Sequence, residues 1–323
     1  MPTSSAVPPA DPVAAPRVAL LVPAYNARRF LPRLWEGVRA QVRPFDECWV
    51  CDDASSDDTA QVAADLGARV LRNPTNLGPA ATRNRLLAAT TAEWVHFHDA
   101  DDRLTPEFNA RMLARATPDR EVVLCQVDWH DEATGRLCLE WRYRESDYAS
   151  DPVPSLIFHT VGGIGGLYRR SAVEAAGGFD PSLRFWEDTD FHLRLACRGA
   201  RFAVVDEVLV TALRRPDSLS NRNLVAVWRA KESLLQGLLP SDSATIRHAI
   251  AWDAMRIAER QFHLRDWTGM RRSLALCQFA GGEVPETRSR AIAALARAGF
   301  PVAAFVLQST VRRLRSRTAP LES

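Results

Sequence analysis

Lysine is almost missing: of 41 basic residues, set against 39 acidic ones, only Lys231 is not an arginine. The bias runs along the whole chain, so it reflects codon usage of the source rather than a binding patch. The net charge of +2 lacks the excess of one sign that a nucleic-acid partner requires. No run of about 18 uncharged apolar residues occurs, which excludes an ordinary membrane-spanning helix. A secretory signal is also lacking, and residues 1–16, rich in Pro, Ala and Ser, are expected to be a disordered leader. There is no G-x-x-x-x-G-K-[ST] phosphate loop, and no G-x-G-x-x-G follows the first apolar run, which argues against a dinucleotide fold. The six cysteines are scattered and suggest no disulfide framework. Cys48 and Cys51 make a C-x-x-C, but inside a strand-like run, where residues three apart face opposite sides. They read as small buried fillers in a reducing compartment.

What is present is a soluble globular composition, 46% hydrophobic and 25% charged, over 323 residues. That is one large domain plus an appendage. From Arg17, apolar runs alternate with helical spacing: Val18–Val22, Cys48–Cys51, Ala68–Leu71 and Trp94–His98 read as strands. Between them, Phe30, Leu31, Leu34 and Val38 recur at helical intervals, and Pro79 suits a helix start. The pattern predicts an α/β fold with a doubly wound, mainly parallel sheet flanked by helices, whose ligand sits past the carboxyl ends of the strands. Residues 103–222 are more mixed, with strands at 121–129 and 136–143, a flexible glycine stretch at 162–166 and a helix opening at Trp186-Glu187-Asp188. A helix is also expected near Thr105-Pro106. From about Asn223 the texture is helical only. The expected organisation is therefore a leader at 1–16, a domain at 17–222 whose texture changes near 102, and a separate helical C-terminal region at 223–323.

The strand ends are acidic. Asp99-Ala100-Asp101-Asp102 puts three carboxylates into four residues, and Asp52-Asp53 follows the second strand. Such a cluster needs compensation, and a divalent cation with oxygen ligands, water and substrate phosphates supplies it. A solvated helix-capping turn is the plain alternative for the motif taken alone. Pro23-Ala24-Tyr25-Asn26 adds an aromatic ring and an amide to the same rim, so the three strand ends suit a nucleotide whose diphosphate is held through a metal.

Val22-Pro23-Ala24-Tyr25-Asn26, Asp52 to Asp57, Asn76-Leu77-Gly78 with Arg83-Asn84, His98 to Asp102, and Glu187-Asp188 together resemble the successive signatures of family 2 glycosyltransferases of the GT-A fold. The resemblance spans roughly residues 17–220 and implies a nucleotide-binding half at 17–102 and an acceptor half at 103–222. It implies inverting transfer of a sugar from a nucleotide diphosphate donor, a UDP-sugar first, with Mg²⁺ or Mn²⁺. The acceptor would be a hydroxyl of a glycan or lipid-linked molecule in surface polysaccharide or glycoconjugate synthesis. By position, Pro23, Tyr25, Asn26, Asp52 and Asp53 would surround base and ribose, Arg83 would close the nucleotide site and Asp99 would face ribose or sugar. Asp101 would bind the metal, and Asp188 would be the general base. Its place in the first turn of a helix favours the charged form and so weakens it as a base.

Two departures from the family pattern stand out. Arg215 occupies the place where many relatives carry a histidine; an arginine cannot ligate a cation but can neutralise a diphosphate. His96 and His98 share one strand face beside the acidic turn, and for both, packing is expected over metal binding. Arg215, Trp186 and Glu187 are candidate diphosphate or acceptor contacts; Trp186 and Trp129 could stack on an acceptor sugar or equally belong to the core, which for Trp129, on a strand, is favoured. Two other readings compete, a non-catalytic carbohydrate- or nucleotide-binding protein on the same fold and a nucleotidyltransferase. Residues 293–311, largely apolar but interrupted by Arg297 and Pro301 and followed by Arg312, Arg313, Arg315 and Arg317, suggest peripheral contact with an anionic membrane surface as one option, and simple packing as the other. The expected location is cytoplasmic, with that helix reaching the inner membrane face.

Overall fold

The computed structural model describes residues 15–159, 161–215, 223–239, 241–282 and 301–318. The expected leader lies almost wholly outside the described residues, as do residues 293–300 and the side chains of the four tail arginines. Strands β1 (Val18–Ala24), β2 (Glu47–Asp52), β3 (Arg69–Arg72) and β4 (Trp94–Phe97) pair in parallel in the order β3-β2-β1-β4. Val18 to Val22 are fully buried, as a strand covered on both faces must be. Helix α1 (Leu31–Arg39) buries Leu31, Leu34 and Trp35 at i, i+3, i+4 spacing. Helix α2 (Thr59–Asp65) follows an Asp57 carboxylate that accepts from the Thr59 N–H at 3.0 Å, and α3 (Pro79–Ala89) starts on the proline. Since β2 and β4 lie on either side of β1, the strand order switches direction at β1, the place where such sheets open a ligand crevice.

The second half of the sheet is mixed, not a continuation of the parallel pattern. Short strand β5 (Arg103–Leu104) runs antiparallel to β9 (Phe202–Arg214), β6 (Val122–Asp131) is antiparallel to β7 (Leu137–Trp141) and β8 (Gly166–Arg169), and β8 is antiparallel to β4. Only β6 with β9 is parallel here. The acidic turn therefore leads into β5, whose pairing with Val210 and Thr211 delays the next helix, α4, to Phe108–Ala114. Helices α5 (Pro152–Phe158), α6 (Arg170–Ala175) and α7 (Glu187–Cys197) complete this half. The glycine stretch is a buried turn, not a flexible loop. A β-carbon on Gly162 would stand 2.5 Å from the Trp141 indole, so the turn is glycine because rings and backbone press on it.

Every described element beyond β9 is a helix: α8 (Leu224–Gly237), α9 (Ala244–His263), α10 (Trp267–Phe279) and α11 (Pro301–Thr318). Asn223, Ser243 and Asp266 cap α8, α9 and α10 through their side chains, each worth about 0.5–2 kcal/mol. Their core is not separate. Leu235, Ile250 and Ile257 belong to the same hydrophobic cluster as Leu156, Ile157 and Phe191 of the α/β body. The change near residue 223 is thus one of element type within a continuous core. Cys48 and Cys51 are unbridged and sit in different clusters on opposite faces of β2, and burial pushes both thiols up to about 11.

Candidate active site

The loops after β1 and β2 are stitched together. Asn26 adopts φ +50°, donates its N–H to Ser55 Oγ at 2.9 Å and accepts the Ser56 N–H on Oδ1 at 2.9 Å. Tyr25 beside it is 55% exposed and faces solvent at the rim, while Pro23 is half-buried in β1. Asp52 is wholly buried, accepts the Ser55 N–H at 2.9 Å and forms a 3.2 Å ion pair with Arg72. Asp53 holds the next loop: its carboxylate accepts from Leu77 N at 2.8 Å, Gly78 N at 2.8 Å and Asn73 Nδ2 at 2.6 Å. Gly78, at φ +84°, gives the chain the left-handed turn that aims both N–H groups at it. Asp53→Ala should lower stability by at least about 2 kcal/mol in urea titrations, because hydrogen bonds to a charged group are lost and buried donors are left unmet. Asp53→Asn should recover part of the loss.

The three carboxylates after β4 have separate surroundings. Asp102 is buried and accepts the Leu213 N–H at 2.9 Å, tying the turn to the end of β9. Asp101 Oδ2 pairs with Arg215 Nη2 at 2.9 Å, and Arg215 lies over the Phe30 ring, 4.8 Å from its centroid. Asp99, 41% exposed, pairs with Arg83 Nη2 at 2.9 Å. Burial pushes the Asp101 carboxyl up, neighbouring Asp99 adds to this and Arg215 opposes it. Asp99 and Asp101 are hard oxygen donors on a partly open turn, a set that fits Mg²⁺ or Mn²⁺ completing its shell from water and a diphosphate. Among the described residues no three His, Cys, Asp or Glu side chains converge as a closed metal cage. His96 and His98 are fully buried, joined Nε2 to Nδ1 at 3.1 Å, and His96 packs against Phe108; burial lowers both, His98 to about 4.

Arg83, buried in α3, gathers the rest. Its guanidinium reaches Asp99, Glu187 at 3.2 Å and Asp188 at 3.6 Å, and rests 5.2 Å from the Phe179 centroid. Thus residues 83, 99, 187 and 188, from three separated segments, meet around one cation. Asp188 Oδ1 is enclosed and makes no hydrogen bond of ordinary geometry; the Gly163 N–H faces it and weakly opposes the rise of its carboxyl, and a β-carbon on Gly163 would stand 3.2 Å away. The side chain keeps 26% of its surface open, none of it at Oδ1. Burial pushes its carboxyl up to about 7, Arg83 opposes, and Glu187 and Asp99 reinforce the rise. The helix dipole's pull toward a weak base is therefore overridden by desolvation.

Support comes from further residues, of which His192 and Tyr168 lie outside the sequence motifs and Asn84 lies within one. His192 and Tyr168 support Asp188 from behind: His192 Nδ1 donates to the Asp188 carbonyl at 2.6 Å, which leaves Nε2 to accept from the Tyr168 hydroxyl at 2.9 Å. Burial lowers His192 to about 4, so it stays neutral in this role. Asn84 pins the turn before Phe179, donating to the Phe179 carbonyl at 2.7 Å and accepting its N–H at 2.8 Å. The i, i+4 spacing of Asp188 and His192 on one helix is the local signal that could have found the histidine. Trp186 points into α8 and packs on Trp228, and Trp129 packs edge-on against Trp141, centroids 4.9 Å apart.

An acidic rim at a sheet's switch point, with a neutral-range carboxylate opposite, invites comparison with known proteins. Residues 19–177 match the model of glycosyl transferase family 2. They are a family 2 domain, and the chain is a glycosyltransferase. An uncharacterized protein of Mycobacterium tuberculosis is 27% identical, over 78% of this chain and 89% of its own. The succinoglycan biosynthesis protein ExoU of Rhizobium meliloti is 29% identical, over 80% of this chain and 78% of its own. TarS of S. aureus, solved in complex with UDP-GlcNAc, superposes with a TM-score of 0.67 over 92% of each chain at 19% identity. Mannosyltransferase PcManGT from Pyrobaculum calidifontis, in complex with GDP-Man and Mn²⁺, gives 0.56 over 94% of this chain and 88% of that one at 18% identity. At these identities the two structures speak for the fold, and the transferase shares its GT-A architecture with both, followed by the helical extension.

Proposed function

We propose that this glycosyltransferase moves a sugar, with inversion, from a nucleotide diphosphate donor to a hydroxyl of a glycan or lipid-linked acceptor, a UDP-sugar being the first donor to test. The observation that carries this reading is the Asp188 carboxyl, held at about 7 beside a buried arginine at the rim. A general base is most effective when its pKa lies near the working pH. Asp188 takes the proton of the acceptor hydroxyl as its oxygen bonds to the anomeric carbon. The bond from that carbon to the diphosphate breaks on the opposite face, and its electron pair leaves with the phosphate. Base and leaving group must therefore stand on opposite sides of the sugar, as Asp188 from the second half and the acidic turn from the first can do.

Tyr25 is free to lie on the base, Pro23, Asn26, Asp52 and Asp53 shape the base and ribose loops, and Asp99 faces the ribose or sugar. Asp101, with Asp99 nearby, would hold Mg²⁺ or Mn²⁺, which stabilises negative charge on the departing diphosphate. Arg215, on the other oxygen of Asp101, sets a fixed positive charge beside the same position. PcManGT with GDP-Man and Mn²⁺ supports the metal, and the part of ExoU in succinoglycan biosynthesis supports a polysaccharide product. No helix among the described residues is long and apolar enough to cross a membrane. We place the enzyme in the cytoplasm, where nucleotide sugars are made, with any membrane contact peripheral.

Thermal melts test the donor reading. UDP with Mn²⁺ should raise Tm by several degrees, since a hundredfold excess over Kd adds about 2.7 kcal/mol, and either component alone should do far less. No shift with UDP, GDP or other nucleoside diphosphates would sink it.

A further inference from the structure

Among the described residues, Trp186 ties the helical region to the segment that carries Asp188. Trp186 immediately precedes Glu187 and Asp188, and its carbonyl accepts the Asp190 N–H at 2.9 Å, within the first turn of α7. Its backbone is left-handed, φ 65° and ψ 19°, a conformation that costs a residue with a β-carbon about 1–2 kcal/mol. Something must hold it there. The indole Nε1 donates to the Val227 carbonyl of α8 at 2.7 Å, the ring packs on Trp228 with centroids 5.7 Å apart, and Lys231 Nζ stands 4.7 Å from the ring centroid.

Lys231 is itself fixed. It is 4% exposed, makes a 2.7 Å ion pair with Asp253 of α9 and donates to the Ile157 carbonyl of α5 at 3.4 Å. It is also the one lysine of a chain that otherwise uses arginine throughout. A compact ammonium on a flexible stem can meet a carboxylate, a carbonyl and an indole face together in a closed space. A planar guanidinium needs a wider slot and directs its donors in one plane. The composition bias gives way at the place where the geometry requires it.

We propose that Trp186 and Lys231 are positioning residues: α8 clamps the indole, the clamp imposes the left-handed turn that starts α7, and that turn aims the Asp188 carboxyl. The helical region is on this view part of the catalytic apparatus though it touches no reacting atom. The proposal rests on Asp188 acting as the base. The titratable and charged groups around that carboxyl are Arg83 from α3, Asp99 after β4, Glu187 on α7, Tyr168 from β8 and Tyr143 just after β7, with His192 holding the Asp188 carbonyl behind it, and none of them is altered by the variants below.

Steady-state kinetics on the full chain test it, with Asp188→Asn as the control for the base itself. Trp186→Gly accepts the left-handed backbone without strain but loses the clamp. It should lower kcat about 10- to 100-fold, the scale set by small misplacements, with the donor KM unchanged. The acid limb of its pH–rate profile should move down, because a less enclosed carboxyl ionises more easily. Trp186→Phe keeps a ring and should lie between Gly and wild type. The paired Lys231→Met/Asp253→Leu chain, which leaves no buried charge unmatched, should repeat the kcat loss in milder form. Should Trp186→Gly fail to fold, the Phe chain and the double variant decide the matter. Wild-type kcat and acid limb in these variants, with Asp188→Asn inactive, overturn the proposal. Activity retained in Asp188→Asn would remove the base assignment instead.

Discussion

Asp188→Asn should lower kcat by about 10²–10⁴, the usual contribution of a positioned general base, while nucleotide affinity stays within a factor of about two. The amide keeps the shape and the contact with Gly163 but cannot take a proton. In the wild type the rate should rise with pH to a plateau, with an acid limb near the value of about 7 to which burial lifts this carboxyl. That limb should vanish from whatever activity the variant retains. Stability moves the opposite way. The folded state keeps the proton to a higher pH than the unfolded chain, so this group's contribution to stability falls as pH rises from about 4 to about 7. Above that window Asp188→Asn removes a costly buried charge, and its Tm at pH 8 should equal or exceed that of the wild type. A strongly lowered Tm, together with lost nucleotide binding, would assign Asp188 to structure.

The largest stability loss is expected from Arg83→Met. Methionine fills much of the same volume over Phe179 but leaves Asp99, Glu187 and Asp188 facing one another without their common cation. Removing one partner of a buried ion pair costs about 3–5 kcal/mol. The 41% exposure of Asp99 screens its share, so about 3 kcal/mol is expected at pH 8. Without the cation the Asp188 carboxyl ionises at still higher pH, so the deficit should shrink as pH is lowered toward 5 and this carboxyl takes up its proton. Urea titrations at the two values check this, and a deficit independent of pH would mean that packing rather than charge carries the effect. Activity should fall as well, because the arginine balances the charge of Asp99 on one side and of Glu187 and Asp188 on the other.

Much of this was legible along the chain. The acidic and polar motifs mark strand ends in the right order, and the apolar runs before them become the buried strands of the parallel half. A local signal sufficed there because strand, loop and helix start are contiguous. What stayed hidden depends on contacts between distant segments. Arg83 and Glu187 are separated by 104 positions, and nothing in either neighbourhood announces the other. The pairing of Arg215 with Asp101 is of the same kind. The glycines at 162–166 looked flexible because glycine permits freedom; they are fixed because Trp141 and Asp188 need the space a side chain would take. The helical region looked separate because its texture differs, while its core joins that of the α/β body through contacts that periodicity does not encode.

A single lysine buried under two helices also makes the molecule its own gauge. Amine-directed reagents reach that nitrogen only when α8 parts from the groups that enclose it, Trp186, Ile157 of α5 and Asp253 of α9, so the rate at which the Lys231 peptide gains mass measures that opening. Compared across donor and acceptor mixtures, this one label would report whether the helical region tightens as substrates arrive.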